Sequence, residues 1–505
     1  MRRTLAAQRQ FIALALVVAV AFAIRLDSIS APPLDFSPSR QTYGALRARI
    51  VHTKGQTEVP AWRRDVLESV RAPQIEPPVL EHVAATAYRI VGFEASWIPR
   101  LFSVVIWLAG GVFVYRLAQR LGRNPVAPLA VGLYLLWPIG IFGSRIIQPD
   151  AMMVVLTLAA LLALVRYDER PSSARLGAAT AVSALAVLSK PPFAAFFLLG
   201  VLTALSVGRS GYRHALTSRS SWLYVVGSLA PAAAYVVWAR ASGLLAGHTS
   251  SSLQPELLLE PRFWRAWSMM VANVVSFPEL GLARSSVLAI VIGLASAAFL
   301  GVRAATPLGR RMLVGLWLGY ATLGVTFTSH TSSHLYYSLP LVPIIALSLA
   351  PVLAFVVHRQ RRAPVLVRVA ALVLVALVIV GVGSRVERRL DDPRYAREAE
   401  TYRRIGEVTA HTTRAVHVDR YYDTPLLYYA WIASRPLYYP GDGLAELPDL
   451  GARLREIEAE SGRRDLLIVT AIDELHTRDS LAAFVEPLRE VARTSEYAIF
   501  ALHSE

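Results

Sequence analysis

Long apolar runs separated by short polar breaks recur from the N-terminus to about residue 384 of this chain, and there the pattern changes. Because a helix needs roughly 20 residues to cross the hydrocarbon of a bilayer, the runs predict about eleven transmembrane helices. They lie near 10–25, 101–118, 126–143, 151–167, 176–189, 193–208, 222–241, 285–303, 312–328, 338–357 and 366–384. Two longer stretches, 26–100 and 385–505, interrupt or follow this series. In 385–505, strand patterns at Ala415–Val418, Pro436–Tyr439, Leu466–Thr470 and Tyr497–Leu502 alternate with helical patterns at Thr424–Ala433, Gly451–Ser461 and Ser480–Val491. That order predicts a small α/β domain. The fold class expected is therefore a polytopic α-helical membrane protein, residues 1–384 including the external loop 26–100, followed by an extracytoplasmic α/β domain over 385–505.

Charge gives the chain its orientation. Arg2, Arg3 and Arg9 precede the first run, and alternate loops carry Arg116, Arg120 and Arg123; Arg166, Arg170 and Arg175; Arg209, Arg213 and Arg219; Arg303, Arg310 and Arg311; and Arg359, Arg361, Arg362 and Arg368. The opposite short loops, 143–150 and 329–337, hold few basic residues. By the positive-inside rule the N-terminus is cytoplasmic, and an odd number of spans leaves the C-terminal domain outside a multi-pass cell-membrane protein. The first run resembles a signal peptide, but Ala23-Ile24-Arg25 places a charge where a small-residue cleavage site would stand, so it is read as an anchor.

Composition agrees with the pattern: 54% of residues are hydrophobic and 17% charged, and mean hydropathy is +0.43. A net charge of +16 would suggest nucleic acid in a soluble protein. Here the basic residues flank apolar runs, so they report topology and no nucleic-acid partner is expected. The absence of cysteine excludes disulfides, thiolate metal sites and cysteine nucleophiles. Only Lys54 and Lys190 are lysine, which singles out Lys190 at the outer end of a span.

In the external loop, an amphipathic stretch from Gln41 to Val51 and a second opened by Pro77-Pro78 have the character of interfacial helices. The second places Val79, Leu80, Val83, Ala87, Ile90 and Val91 largely on one face, suited to membrane lipid. Asp35 is the only acidic residue of the Pro-rich segment 31–41 that opens the loop. A carboxylate at the lipid–water boundary suits a general base for an acceptor hydroxyl, and equally a turn or helix cap.

Several short segments carry a family resemblance by their order along the chain. They are Trp97-Ile98-Pro99-Arg100-Leu101-Phe102-Ser103, Tyr115-Arg116-Leu117-Ala118, residues Gly143 to Ala151 with Gln148-Pro149-Asp150, Ser189-Lys190-Pro191-Pro192-Phe193, and Ser333-His334-Leu335-Tyr336-Tyr337-Ser338-Leu339-Pro340. Over roughly 10–345 the chain resembles the GT-C superfamily of membrane glycosyltransferases. Within it, the likeness is to the branch containing protein O-mannosyltransferases and bacterial aminoarabinose lipid A transferases.

The resemblance implies transfer of a hexose or pentose from a polyprenyl phosphate carrier to an extracytoplasmic glycan, lipid or protein acceptor, by direct displacement with inversion. Asp35 matches the family's first-loop acid and is the expected base; the neighbour that is often acidic in the family is Phe36 here. Lys190, Arg40 and Arg145 are the candidate ligands of the donor phosphate, and Gln41, Asp150, Tyr336 and Tyr337 the candidate substrate-binding residues. Glu76 and His334 are the candidate pair for a divalent metal ion.

Each has a plainer role. Lys190 snorkels from a helix end, Asp150 caps a helix, Glu76 complements a helix N-terminus, and His334 hydrogen-bonds at a span end. A lipid or sugar transporter, or a scaffold whose C-terminal domain binds cell-wall polymer, are the competing readings. The placement of Asp35, Glu76, Asp150, Lys190 and His334 at external ends, rather than mid-membrane, favours chemistry at the surface.

Overall fold

The computed structural model describes residues 2–54, 56, 59–70, 76–122, 125–244, 253–276, 287–360, 364–440 and 449–503. Arg123, Arg361 and Arg362 of the charge pattern lie outside them. The chain divides into two compact units. The first comprises Met1–Ile29, Pro73–Val79 and Arg100–Asp391; the second comprises Ser30–Ala72, Leu80–Pro99 and Asp392–Glu505. Segments 30–72 and 80–99 thus belong to the same unit as the C-terminal domain.

The first unit is helical. Among the described residues, six helices are long and apolar enough to cross a membrane: Trp97–Ala118, Asp150–Glu169, Phe193–Arg213, Arg219–Ala241, Val287–Ala304 and Leu335–Gln360. Gln10–Leu26, Val126–Leu136 and Ser173–Ser189 are shorter apolar helices. The run expected as one helix over 126–143 is two, Val126–Leu136 and Pro138–Gly143. Pro138 lacks the amide a continuous helix would need and starts the second piece. Helices Phe193–Thr217 and Pro307–Thr326 pack together. At their crossing, a Cβ on Gly200 would stand 2.3 Å from the Gly315 carbonyl oxygen, and one on Gly319 would stand 2.7 Å from that of Phe196. Gly315 and Gly319 form the small-residue spacing that brings membrane helices into backbone contact.

The second unit is built on a five-stranded sheet: β1 (Ala415–Val418), β2 (Ser434–Pro436), β3 (Leu466–Val469), β4 (Arg489–Arg493) and β5 (Ala498–Ala501). Its order is β2-β1-β3-β5-β4, parallel across the first three strands and antiparallel across the last three. Strand alternation divides the core between two faces. Val416, Val418, Leu467, Val469 and Phe500 pack with Leu450, Ile457, Leu481 and Val485. Ala415, Ile468 and Ile499 pack with Tyr402, Ile405, Leu426 and Ala430 on the other side. β4 falls at the end of the predicted helix 480–491; the helix stops at Val485 and the chain turns into a charged edge strand.

Within residues 26–100, helix Pro38–Thr53 replaces the shorter stretch expected, and helix Val79–Val91 follows the two prolines. Of the face expected to meet lipid, Val79, Val83, Ile90 and Val91 are exposed and Leu80 alone is buried. Ala84, Ala85 and Tyr88 are also buried.

Asp419, immediately after β1, accepts hydrogen bonds from Thr470 Oγ1 at 2.5 Å, Tyr402 Oη at 2.8 Å and the Tyr421 amide at 2.6 Å. Burial pushes its carboxyl up to about 6 in spite of these donors. Burial, aided by the Asp419 charge, pushes the Glu398 carboxyl up to about 7 from 4.5. The folded state therefore holds a proton that the unfolded chain has released. The resulting stabilisation is complete below the unfolded value and lost as pH rises through the folded one. Glu398→Gln is expected to match wild type in thermal midpoint near pH 4 and to exceed it at pH 8. Comparing the two proteins at each pH cancels the other titrating groups.

Candidate functional site

In the first unit the site grows from a break between two helices. Helix Ser173–Ser189 ends because two prolines follow, and Lys190 is held extended at φ −154° and ψ 82°, as a residue before proline must be. Its side chain does not snorkel. Lys190 Nζ donates to Asp150 Oδ1 at 2.6 Å, and both side chains are 1% exposed. Asp150 opens helix Asp150–Glu169 behind Pro149. The carboxylate gains from the helix N-terminus as well as from the ammonium, so its observed role is an ion pair rather than a cap.

The ammonium also lies over three rings, 4.6 Å from the centroid of Tyr337, 5.0 Å from Tyr336 and 5.3 Å from Phe193. Tyr336 and Tyr337 sit on the 3₁₀ turn Leu335–Ser338, and Phe193 stacks on Tyr337 at 4.9 Å and Phe327 at 5.0 Å. The structure thus brings together Lys190, Asp150, Tyr336 and Tyr337. A cation against electron-rich ring faces keeps its charge away from bulk water.

The segment leading to Asp150 is anchored by arginine. Arg25, fully buried, donates to Ser144 Oγ at 2.7 Å and to the carbonyls of Ala21 at 3.0 Å and Gly140 at 3.2 Å. Arg145, also buried, donates through Nη2 to the Ser28 carbonyl at 2.9 Å. Gln148 is 3% exposed, and neither of its amide atoms has a hydrogen-bond partner among the described residues; Asp150 Oδ2 likewise has none. Neither Arg25 nor Gln148 was assigned a role from sequence, although the charge at the end of an apolar run marked Arg25 as out of place.

Glu76 and His334 also lie in the first unit. His334 Nδ1 is 2.6 Å from Ser333 Oγ, and its ring lies 6.2 Å from that of His330. Among the described residues there is no group of three or more His, Cys, Asp or Glu able to hold a metal ion. Two such side chains are less than a coordination sphere, and no chemical step is derived through a metal.

Asp35, Arg40 and Gln41 lie in the second unit. Asp35 is 5% exposed, and Gln41 Nε2 donates to its Oδ1 at 2.9 Å and to the Phe36 carbonyl at 2.6 Å. The bend between them comes from Ser37 at φ +49°, ahead of Pro38 in the first turn of helix Pro38–Thr53. Arg40 is half-buried, 5.8 Å from the Tyr43 ring.

The C-terminal domain holds this segment in place. Leu34 packs on Tyr395 and Ala399. Thr42 Oγ1 donates to Thr424 Oγ1 at 2.8 Å, and Thr424 donates to the Ser39 carbonyl at 2.9 Å. Arg49 makes a forked pair with Glu94, at 2.9 Å and 3.0 Å, and donates to the Tyr428 carbonyl at 2.7 Å. Its guanidinium lies 4.1 Å from the Tyr428 ring centroid and 4.2 Å from that of Trp431.

Residues 75–238, about a third of the chain, match the family described as dolichyl-phosphate-mannose-protein mannosyltransferase. No curated protein matches the chain. Among solved structures, the archaeal oligosaccharyltransferase AglB from Archaeoglobus fulgidus, in complex with an inhibitory peptide and a dolichol-phosphate, is 12% identical; the match covers 94% of this chain and 71% of that one, with a TM-score of 0.54. An Archaeoglobus fulgidus oligosaccharyltransferase complex with Zn and sulfate gives 14% identity, 93% and 69% coverage, and a TM-score of 0.52. ArnT from Cupriavidus metallidurans, bound to undecaprenyl phosphate, gives 14% identity, 96% and 97% coverage, and a TM-score of 0.47. Over residues 75–238 the chain is similar to that mannosyltransferase family, and in fold it is similar to the two Archaeoglobus fulgidus oligosaccharyltransferase structures.

Proposed function

We propose that the protein is an inverting glycosyltransferase that moves a sugar from a polyprenyl phosphate carrier to an acceptor hydroxyl on the extracytoplasmic face of the membrane. One observation carries this reading: the stretch matching the mannosyltransferase family, 75–238, contains the buried Lys190–Asp150 pair together with Glu76 and Arg145. A buried ammonium backed by a carboxylate and set among rings suits an anionic leaving group in a poorly hydrated place.

In the reaction, the acceptor hydroxyl gives its proton to the Asp35 carboxylate and its oxygen forms a bond to the anomeric carbon. The bond from that carbon to the phosphate oxygen breaks, and the electron pair leaves with the polyprenyl phosphate. Lys190, with three N–H donors of which Asp150 accepts one, stabilises the phosphate charge, assisted by Arg145 and Arg40. Gln41 orients the base by its hydrogen bond to Asp35 Oδ1. Tyr336, Tyr337 and Asp150 contribute to the substrate pocket, and Glu76 and His334 are the residues that would hold a divalent ion, which would supply positive charge for the leaving phosphate.

Purified protein in liposomes, given a panel of radiolabelled undecaprenyl phosphate sugars and cell-envelope extract, is expected to move label to an acceptor with opposite anomeric configuration. Retained configuration would contradict single displacement. Loss of transfer on chelation, restored by a divalent ion, would support Glu76 and His334 as its ligands, and chelator-insensitive transfer would argue against them.

A further inference from the structure

Gln148 has a side chain that the fold leaves unexplained. It lies in the turn between the helices Pro138–Gly143 and Asp150–Glu169, 3% exposed, with both Oε1 and Nε2 lacking hydrogen-bond partners among the described residues. A buried amide without partners costs the fold free energy, and native proteins keep such groups chiefly where something else satisfies them. Two positions along, across Pro149, Asp150 uses Oδ1 for Lys190 and has no hydrogen-bond partner for Oδ2 among the described residues. The two findings stand two residues apart in the sequence, and the second belongs to a member of the ion pair.

The chemistry of these atoms selects a ligand. Gln148 Oε1 and Asp150 Oδ2 are acceptors, and Gln148 Nε2 is a donor. The phosphodiester of a sugar-bearing carrier has no proton to give either oxygen at neutral pH and would be repelled by the carboxylate. Hydroxyl groups donate and accept at once, so they satisfy all three atoms. We infer that Gln148 reads the hydroxyls of the transferred sugar, with Asp150 Oδ2 as a second acceptor, and so sets which sugar the enzyme accepts. This rests on the glycosyltransferase reading and assigns Gln148 to the sugar, leaving the carrier phosphate to the cations.

A site built to hydrogen-bond a hydroxyl rejects the ligand that lacks it, because the protein groups are then left unpaired. Conversely, removing a group that is unpaired without ligand should not harm the free protein. Gln148→Met keeps length and volume and removes only the amide. Three measurements on the full-length protein in detergent test the inference: thermal midpoint without ligand, binding of bare undecaprenyl phosphate, and binding of undecaprenyl phosphate bearing the sugar that wild type transfers.

The expected result is an unchanged or higher midpoint, unchanged affinity for the bare carrier, and affinity for the sugar-bearing carrier reduced about tenfold or more. A lowered midpoint with equal effects on both carriers would show that the amide has a structural partner and would overturn the inference. If wild type binds neither carrier, the glycosyltransferase reading fails first and the sugar role of Gln148 falls with it. If wild type binds both and Gln148→Met does too, equally well, only the role of Gln148 is lost.

Discussion

Asn in place of Asp35 is expected to leave a folded protein that binds donor and transfers essentially no sugar. The substitution removes the proton acceptor while keeping an oxygen that can receive the Gln41 amide at the position of Asp35 Oδ1. Leu34 and the Thr42–Thr424 contact, which fix the segment, are untouched. A positioned base contributes about 10²–10⁴-fold to rate, and the whole of that should appear in kcat with little change in donor affinity. Full activity in Asp35→Asn, measured as label transferred per turnover, would remove Asp35 as the base.

The second large effect concerns the buried pair. Lys190→Met leaves the Asp150 carboxylate 1% exposed and without its cation, and stranding one partner of such a pair destabilises by about 3–5 kcal/mol. Lys190→Met/Asp150→Asn removes both charges and is expected to recover most of that loss, because an apolar or neutral replacement of a buried pair is often tolerated. Transfer should stay absent in the double variant, since a neutral side chain cannot stabilise the leaving phosphate. Recovery of activity along with stability would reduce Lys190 to a structural role. Thermal unfolding and turnover of the single and double variants separate the two.

How far this was legible from sequence depended on the range over which each determinant acts. Helix positions followed from apolar runs and their prolines, because hydrocarbon burial and the missing proline amide act locally. β1 and β3 were readable for the same reason, as short apolar runs between turn residues. β4 was not: on a sheet edge, Arg489, Glu490 and Arg493 need no apolar alternation, and the charges resemble the continuation of a helix.

Longer-range relations were hidden more deeply. Asp150 looked like a cap and Lys190 like a snorkelling cation because each was read alone; they are 40 residues apart and meet only in the fold. The tie between the Asp35 segment and the C-terminal domain depends on Thr42 with Thr424, and on Arg49 with Tyr428 and Trp431, across more than 370 positions. Gly315 and Gly319 carried a signal in their spacing that sequence reading passed over. Gln148 entered only as part of the Gln148-Pro149-Asp150 segment, since an amide is informative only once the described residues around it prove to hold no partner. The C-terminal domain thereby acquires a physical task, to hold the segment that presents Asp35.

The most direct measurement of the central claim is label transfer from radiolabelled undecaprenyl phosphate sugars to cell-envelope acceptor, comparing wild type with Asp35→Asn in the same liposomes. The account predicts covalent label on an acceptor with wild type alone, and label remaining on bound carrier with the variant. Carrier that is bound and moved across the bilayer by both proteins, its sugar bond intact throughout, would contradict it and show a transporter instead.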